Sequence, residues 1–157
     1  IEENDINGGS YRIYCKKNIK KSIIYKENIG IKEIKKFFSR VKKNKHKFNK
    51  FLIKTKKEKK KIFLYGASTK GNTLLQYYDI NSKIIPFAAE RSPEKWGKYT
   101  IGTGVKIISE KEARKLNPDY FFVMPYAFIT EFKKRESKWL KTGGKFLLPY
   151  PSFRVVK

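Results

Sequence analysis

The hydrophobic and polar positions divide the chain into two regimes. From Ile31 the apolar residues recur at helical spacing: Ile31, Ile34, Phe37, Phe38, Val41, Phe48 and Leu52 fall on one stripe, with lysines between them. No Pro or Gly interrupts this stretch before Gly66, so the pattern predicts a long amphipathic helix over about 31–57. A polar gap at Lys45 predicts that the middle of the helix is less well covered, with His46 facing solvent. Upstream, Asn7-Gly8-Gly9 is turn chemistry, 11–16 alternates as a short strand, and 17–30 reads as an irregular basic connector.

Beyond residue 60 short apolar runs alternate with helical segments. Strands are predicted at 62–65, 83–88, 105–108, 120–124 and 146–148, with an edge strand at 153–156. Helices are predicted at 69–78, after Ser109 with Glu112 completing a capping box, and at 128–140, closed by Gly143-Gly144. Residues 91–104 form a long loop. This alternation predicts an α/β fold: a Rossmann-like parallel sheet with helices on both faces, preceded by a short strand and the long helix. The expected organisation is an arm at 1–30, the basic helix at 31–60 and the Rossmann-like domain at 61–157.

Charge changes the picture only partly. The 157 residues carry 38 Lys+Arg against 14 Asp+Glu, a formal net charge of +24. A basic nucleic-acid-binding module using the Lys-rich segment 42–61 is therefore an alternative reading. Lysine outnumbers arginine heavily, however, and bidentate recognition of phosphate and guanine favours arginine. Nucleic acid is thus not the expected partner. A single Cys15 excludes an intrachain disulfide and a multi-cysteine zinc site. The lone His46 argues against histidine-based catalysis, and no metal site is expected. No apolar run approaches a membrane span, and no signal peptide is evident. The cytoplasm is the expected compartment.

The chief chemical signal is Tyr65-Gly66-Ala67-Ser68-Thr69-Lys70-Gly71-Asn72, where a buried strand enters a small-residue turn and a helix. Backbone N–H groups at such a helix start face an anion well, and Ser68, Thr69 and Lys70 add donors. The alternative is that Ser68 or Thr69 serves simply as an N-cap. The string is neither a Walker A sequence nor a dinucleotide fingerprint. Glu90 stands 24 residues after Gly66, where an acidic residue often meets a ribose hydroxyl. An exposed Glu90–Arg91 pair is the alternative. Lys95, Trp96, Lys98 and Tyr99 offer phosphate and base contacts, or simply pin the loop. Met124-Pro125-Tyr126 ends a later strand on the same side. A nicotinamide-dependent oxidoreductase is disfavoured, because no Tyr is followed four residues later by Lys.

Taken together, several strings resemble the C-terminal domain of S-adenosylmethionine-dependent nucleotide-sugar C-methyltransferases. They are Asn7-Gly8-Gly9-Ser10-Tyr11-Arg12, Gly66-Ala67-Ser68-Thr69-Lys70-Gly71-Asn72-Thr73-Leu74-Leu75-Gln76 and Ala89-Glu90-Arg91-Ser92-Pro93-Glu94-Lys95-Trp96-Gly97-Lys98. Gly102-Thr103-Gly104, Asn117-Pro118-Asp119-Tyr120 and Gly143-Gly144-Lys145-Phe146 follow in order. The resemblance implies a domain that helps hold a nucleotide diphosphate sugar and has no catalytic residue of its own. Substrate contacts would come from Ser68, Thr69, Lys70, Gly71, Asn72, Glu90, Arg91 and Lys95. Zinc and S-adenosylmethionine would belong to a preceding part of the enzyme, with which this domain would partner. The start at Ile1, with no Met, reads as an excised domain. The chain departs from the family at Tyr126-Ala127, where members often carry Trp-His or Trp-Asn.

Overall fold

The structure, a computed structural model, describes residues 1–17 and 29–157, and the chain divides into two compact units, Ile1–Ser39 and Arg40–Lys157. Most of the connector expected at 17–30 lies outside the described residues.

In the first unit, β1 (Glu2–Asn4) pairs antiparallel with β2 (Ser10–Arg12) around a 3-10 turn at Ile6–Gly8. Gly8 and Gly9 take φ of 84° and 122°, a region open to glycine, and this lets the chain reverse within a few residues. The strand predicted at 11–16 is therefore shorter and starts earlier. Its partner β1 was not anticipated, because Glu2, Glu3 and Asn4 carry no apolar alternation.

The long helix α1 (Ile31–Lys57) has the bounds its periodicity predicts. Its covering is the reverse of expectation. Ile31, Ile34, Phe37 and Phe38 are exposed, whereas the stretch around Lys45 is anchored. Asn44 is buried there: its Nδ2 donates to the Pro151 carbonyl at 2.9 Å, and its Oδ1 accepts the Phe153 N–H at 3.2 Å. A polar residue anchors this face because it satisfies two backbone groups that would otherwise be buried unpaired. Lys45 pairs with Asp79 at 2.6 Å, and His46 is exposed. One turn on, Phe48 is fully buried and packs against Tyr78, Phe122 and Phe153, with ring centroids 4.7–5.4 Å apart.

The second unit is built on six strands: β3 (Ile62–Tyr65), β4 (Phe87–Glu90), β5 (Lys106–Ser109), β6 (Tyr120–Val123), β7 (Lys145–Leu148) and β8 (Arg154–Val156). Their order is β5-β4-β3-β6-β7-β8, parallel except for β8, which runs antiparallel to β7 at the edge. Helices α2 (Thr69–Tyr77), α3 (Glu110–Lys115), α4 (Ile129–Arg135) and α5 (Ser137–Lys141) connect them. Side-chain alternation divides the core. Ile62, Leu64, Ala88, Phe122 and Leu147 face α2 and the second half of α1; Phe63, Tyr65, Ala89, Phe121 and Phe146 share the other face with Ala113, Phe132 and Trp139. With both faces covered, all four residues of β3 are buried.

Two predicted elements shift. The strand expected at 83–88 begins only at Phe87. Asn81 Oδ1 accepts the Lys83 N–H, and the Asn81 carbonyl accepts Ile84 and Ile85, so this apolar run makes a turn first. The single helix expected at 128–140 is broken at Glu136 into α4 and α5, although the Glu136 N–H still reaches the Phe132 carbonyl at 2.8 Å. On the outer edge of β5, the Gly97 N–H donates to Ile107 O, and Ile107 N–H to Lys98 O. The 91–104 loop thus covers a strand edge that would otherwise be open.

Candidate functional site

The chain passes from β3 outward through β4 to the edge strand β5, then returns through α3 to β6 on the other side of β3. The crevice at such a reversal, at the carboxyl ends of the strands, is where open α/β sheets bind ligands. Here the loops after β3, β4 and β6 meet.

Glycine permits that meeting. Gly66 leaves β3 with φ of 80°, and a Cβ on it would lie 2.9 Å from both Cγ and Cδ of Pro125, at the end of β6. Gly71, inside α2, is buried against the Met124 side chain. It sets how closely α2 approaches β6. Ser68 is the N-cap of α2, its Oγ accepting the Gly71 N–H at 3.1 Å. Thr69 and Lys70 are exposed on the first turn. Asn72 is half-buried, and its Oδ1 has no hydrogen-bond partner among the described residues.

Glu90 ends β4 and is neither an exposed ion pair with Arg91 nor an idle acceptor. Its Oε2 accepts the Ala67 N–H at 2.7 Å, and its Oε1 accepts the Arg91 and Ser92 N–H groups, each at 3.0 Å. Lys95 Nζ lies 3.6 Å from Oε2 and donates to the Ala67 carbonyl at 3.1 Å. The Glu90 carbonyl in turn accepts Trp96 Nε1 at 2.8 Å, so Trp96 pins the loop. Glu90 thus consumes the Ala67 N–H and places a carboxylate beside the turn; Lys95 balances that charge. The Arg91 guanidinium is exposed and has no ion pair among the described residues.

These loops border a cavity of about 240 Å³. Ser68, Glu90, Arg91 and Lys95 line it, whereas Thr69, Lys70, Gly71 and Asn72 lie on the adjoining turn of α2. The wall also includes Pro125, Phe128, Glu110, Glu131 and Arg135, of which only Pro125 stood in a string singled out from the sequence. Behind it, Arg135 donates to Glu110 and Glu131, both at 2.9 Å, and to Tyr65 Oη at 3.1 Å. Tyr65 Oη donates to the fully buried Glu136 at 2.7 Å, and Arg114 Nη1 reaches the same carboxylate at 2.6 Å. Burial, then the hydrogen bond to Glu136, pushes the Tyr65 hydroxyl far above its ordinary range, keeping it a neutral donor. Nothing in the sequence distinguishes Arg135 and Glu136 from other charged helix residues; only packing brings them to Tyr65.

The cavity therefore balances Arg91, Lys95 and Arg135 against Glu90, Glu110 and Glu131, and Arg91 is the cation left uncommitted. Among the described residues there is no cluster of three or more His, Cys, Asp or Glu side chains able to hold a metal ion, and no helix long and apolar enough to cross a membrane.

Comparison with known proteins agrees with the fold. A family model described as the C-methyltransferase C-terminal domain matches residues 5–151. The C-methyltransferase NovU of Streptomyces niveus is 33% identical over 92 residues, a stretch covering 59% of this chain and 22% of that protein.

Proposed function

The chain belongs to the C-methyltransferase C-terminal domain family, and from that premise we propose that it holds a nucleotide diphosphate sugar while the rest of a longer enzyme transfers the methyl group. The observation that carries this reading is the convergence of three strand-end loops on one cavity, with Arg91, which has no ion pair among the described residues, at its rim and the first turn of α2 beside it. The diphosphate would lie across that turn, where Ser68, Thr69 and Lys70 offer N–H groups and a charge. Ala67 and Gly71 cannot contribute, because their N–H groups already serve Glu90 and Ser68. The nucleoside would enter the cavity between Arg91 and Phe128, both of which present a flat face for stacking.

S-adenosylmethionine would supply the methyl group from the preceding part of such an enzyme, and zinc would belong there too. The residues of this chain bind and orient. His46 is exposed on α1 and does not line the cavity.

Calorimetric titration with thymidine diphosphate and uridine diphosphate tests the proposal, run at two salt concentrations beside a mixed-sequence oligonucleotide. Saturable nucleotide binding, weakened roughly tenfold by Arg91→Ala and by Lys70→Ala, supports it, since charge-assisted contacts to phosphate are worth about 1.5–3 kcal/mol. Tight, steeply salt-dependent oligonucleotide binding with no nucleotide response would favour the basic-module reading instead. With a keto-sugar nucleotide and S-adenosylmethionine added, this chain alone is expected to form no methylated product.

A further inference from the structure

A second and larger cavity, about 460 Å³, lies between the last turns of α1 and the 81–85 turn, near the start of β3. It has no part in the site described above. Ile53 and Ile84 form its lips, 60% and 45% exposed, over a floor that includes Leu52, Ile62 and Tyr78. Of the polar groups that line it, Thr55 Oγ1 is turned back onto the Phe51 and Leu52 carbonyls at 3.1 and 3.0 Å, and Asn49 and the Tyr78 hydroxyl complete the wall. The lip carrying Ile84 is held in place, because Asn81 accepts the Lys83 and Ile84 N–H groups and Thr103 O accepts Ser82 N–H.

The charges around this groove have one sign to spare. Its one carboxylate, Asp79, is paired with Lys45 at 2.6 Å, and Lys60 is paired with Asp119 at 2.9 Å. Lys56 on one lip and Lys83 on the other have no ion pair among the described residues. An apolar trough of ligand-binding size, flanked by two unmatched ammonium groups, is complementary to a molecule with an apolar tail and an anionic head.

We propose that this groove binds a single-chain amphiphilic anion of the medium-chain carboxylate class. The alkyl chain lies along Leu52, Ile53, Ile62 and Ile84, and the carboxylate meets Lys56 or Lys83.

The test titrates the isotopically labelled chain with octanoate and decanoate, kept below their micelle thresholds, and follows the isoleucine methyl resonances. The Ile53 and Ile84 signals shift saturably at one equivalent, and decanoate binds roughly tenfold tighter than octanoate, as two further buried methylenes require. Decyltrimethylammonium binds at least tenfold more weakly than decanoate, and Lys83→Glu narrows that difference. Ile53→Glu, at an exposed position, leaves the thermal melt unchanged and abolishes the decanoate response, while nucleotide titrations are unaffected. Equal binding of the cationic and anionic amphiphiles, shifts distributed elsewhere, or an undiminished response in Ile53→Glu would each overturn the proposal. So would binding that appears only when the carboxylate is presented on anionic vesicles.

Discussion

The Glu90 carboxylate accepts the Ala67 N–H at 2.7 Å, tying the end of β4 to the turn that follows β3. With the Arg91 and Ser92 N–H groups on its other oxygen, this side chain organises both loops. Glu90→Ala leaves three N–H groups without their acceptor, at a cost of about 1–3 kcal/mol. The thermal midpoint of the ligand-free protein should fall accordingly. A carboxylate that served only a ribose hydroxyl would leave the ligand-free midpoint unchanged.

Gly66→Ala tests the closeness of the two loops at the sheet reversal. An alanine there meets Pro125 at 2.9 Å and must hold φ of 80°, so the substitution combines overpacking with backbone strain. A loss of about 2 kcal/mol or more in denaturant unfolding is expected. Gly97→Ala serves as a control: it shares the positive φ but has nothing within 4 Å of its Cβ, and should lose less.

Glu136 is 1% exposed and receives Tyr65 Oη and Arg114 Nη1. Glu136→Ala strips a buried network of its acceptor, and a cost of about 3–5 kcal/mol is expected in urea unfolding. Glu136→Gln retains an acceptor for Tyr65 and should lose less. Since Arg135 contacts both Tyr65 and the cavity wall, Glu136→Ala should also weaken nucleotide binding.

The pH dependence has an acid and an alkaline limb. Burial works against the Asp119 charge, but the Lys60 and Lys61 N–H bonds and the charges of both lysines carry its carboxyl below the ordinary value. Its contribution is complete above the unfolded carboxylate pKa and is lost as pH falls through the lowered folded value. The stability gap between the native protein and Asp119→Asn should therefore close as pH drops below about 4. On the other side, burial, then Tyr77, pushes the Tyr78 hydroxyl up to about 12. Its contribution is complete below the ordinary tyrosine value and is lost as pH rises toward about 12. Ultraviolet titration should show exposed tyrosines ionising first, with Tyr78 and Tyr65 ionising only as the fold opens.

Asn44→Leu replaces a buried amide that holds the Pro151 carbonyl and the Phe153 N–H. A loss of about 1–3 kcal/mol is expected. Hydrogen exchange should localise it, with faster exchange in β8 and in the adjoining edge of β7.

Much of this architecture was legible because its signals are local. The bounds of α1 follow from an apolar stripe and the absence of Gly and Pro. The Ser109 cap of α3 is observed, its Oγ accepting the Glu112 N–H at 3.0 Å, and the Gly143-Gly144 stop holds because Gly143 adopts φ of 104°. Less was legible where an element depends on a distant partner. The exposed first half and anchored second half of α1 share one periodicity; what separates them is a clasp on Pro151 and Phe153, more than a hundred residues away.

By itself, then, the sequence determined the alternation of strands and helices, the long basic helix, the small-residue turn after β3 and the family to which the chain belongs. Each follows from side-chain period, backbone permissiveness or a matched string, properties carried within a few residues. Tertiary structure decided the working parts. It converted Glu90 from a free acceptor into a staple, assigned Gly71 to packing against Met124, left Arg91 without an ion pair among the described residues and assembled Tyr65, Arg114, Arg135 and Glu136 behind the cavity. Whether a polar side chain is committed or available depends on which groups lie within about 3 Å of it. For these residues, those groups come from other strands and helices.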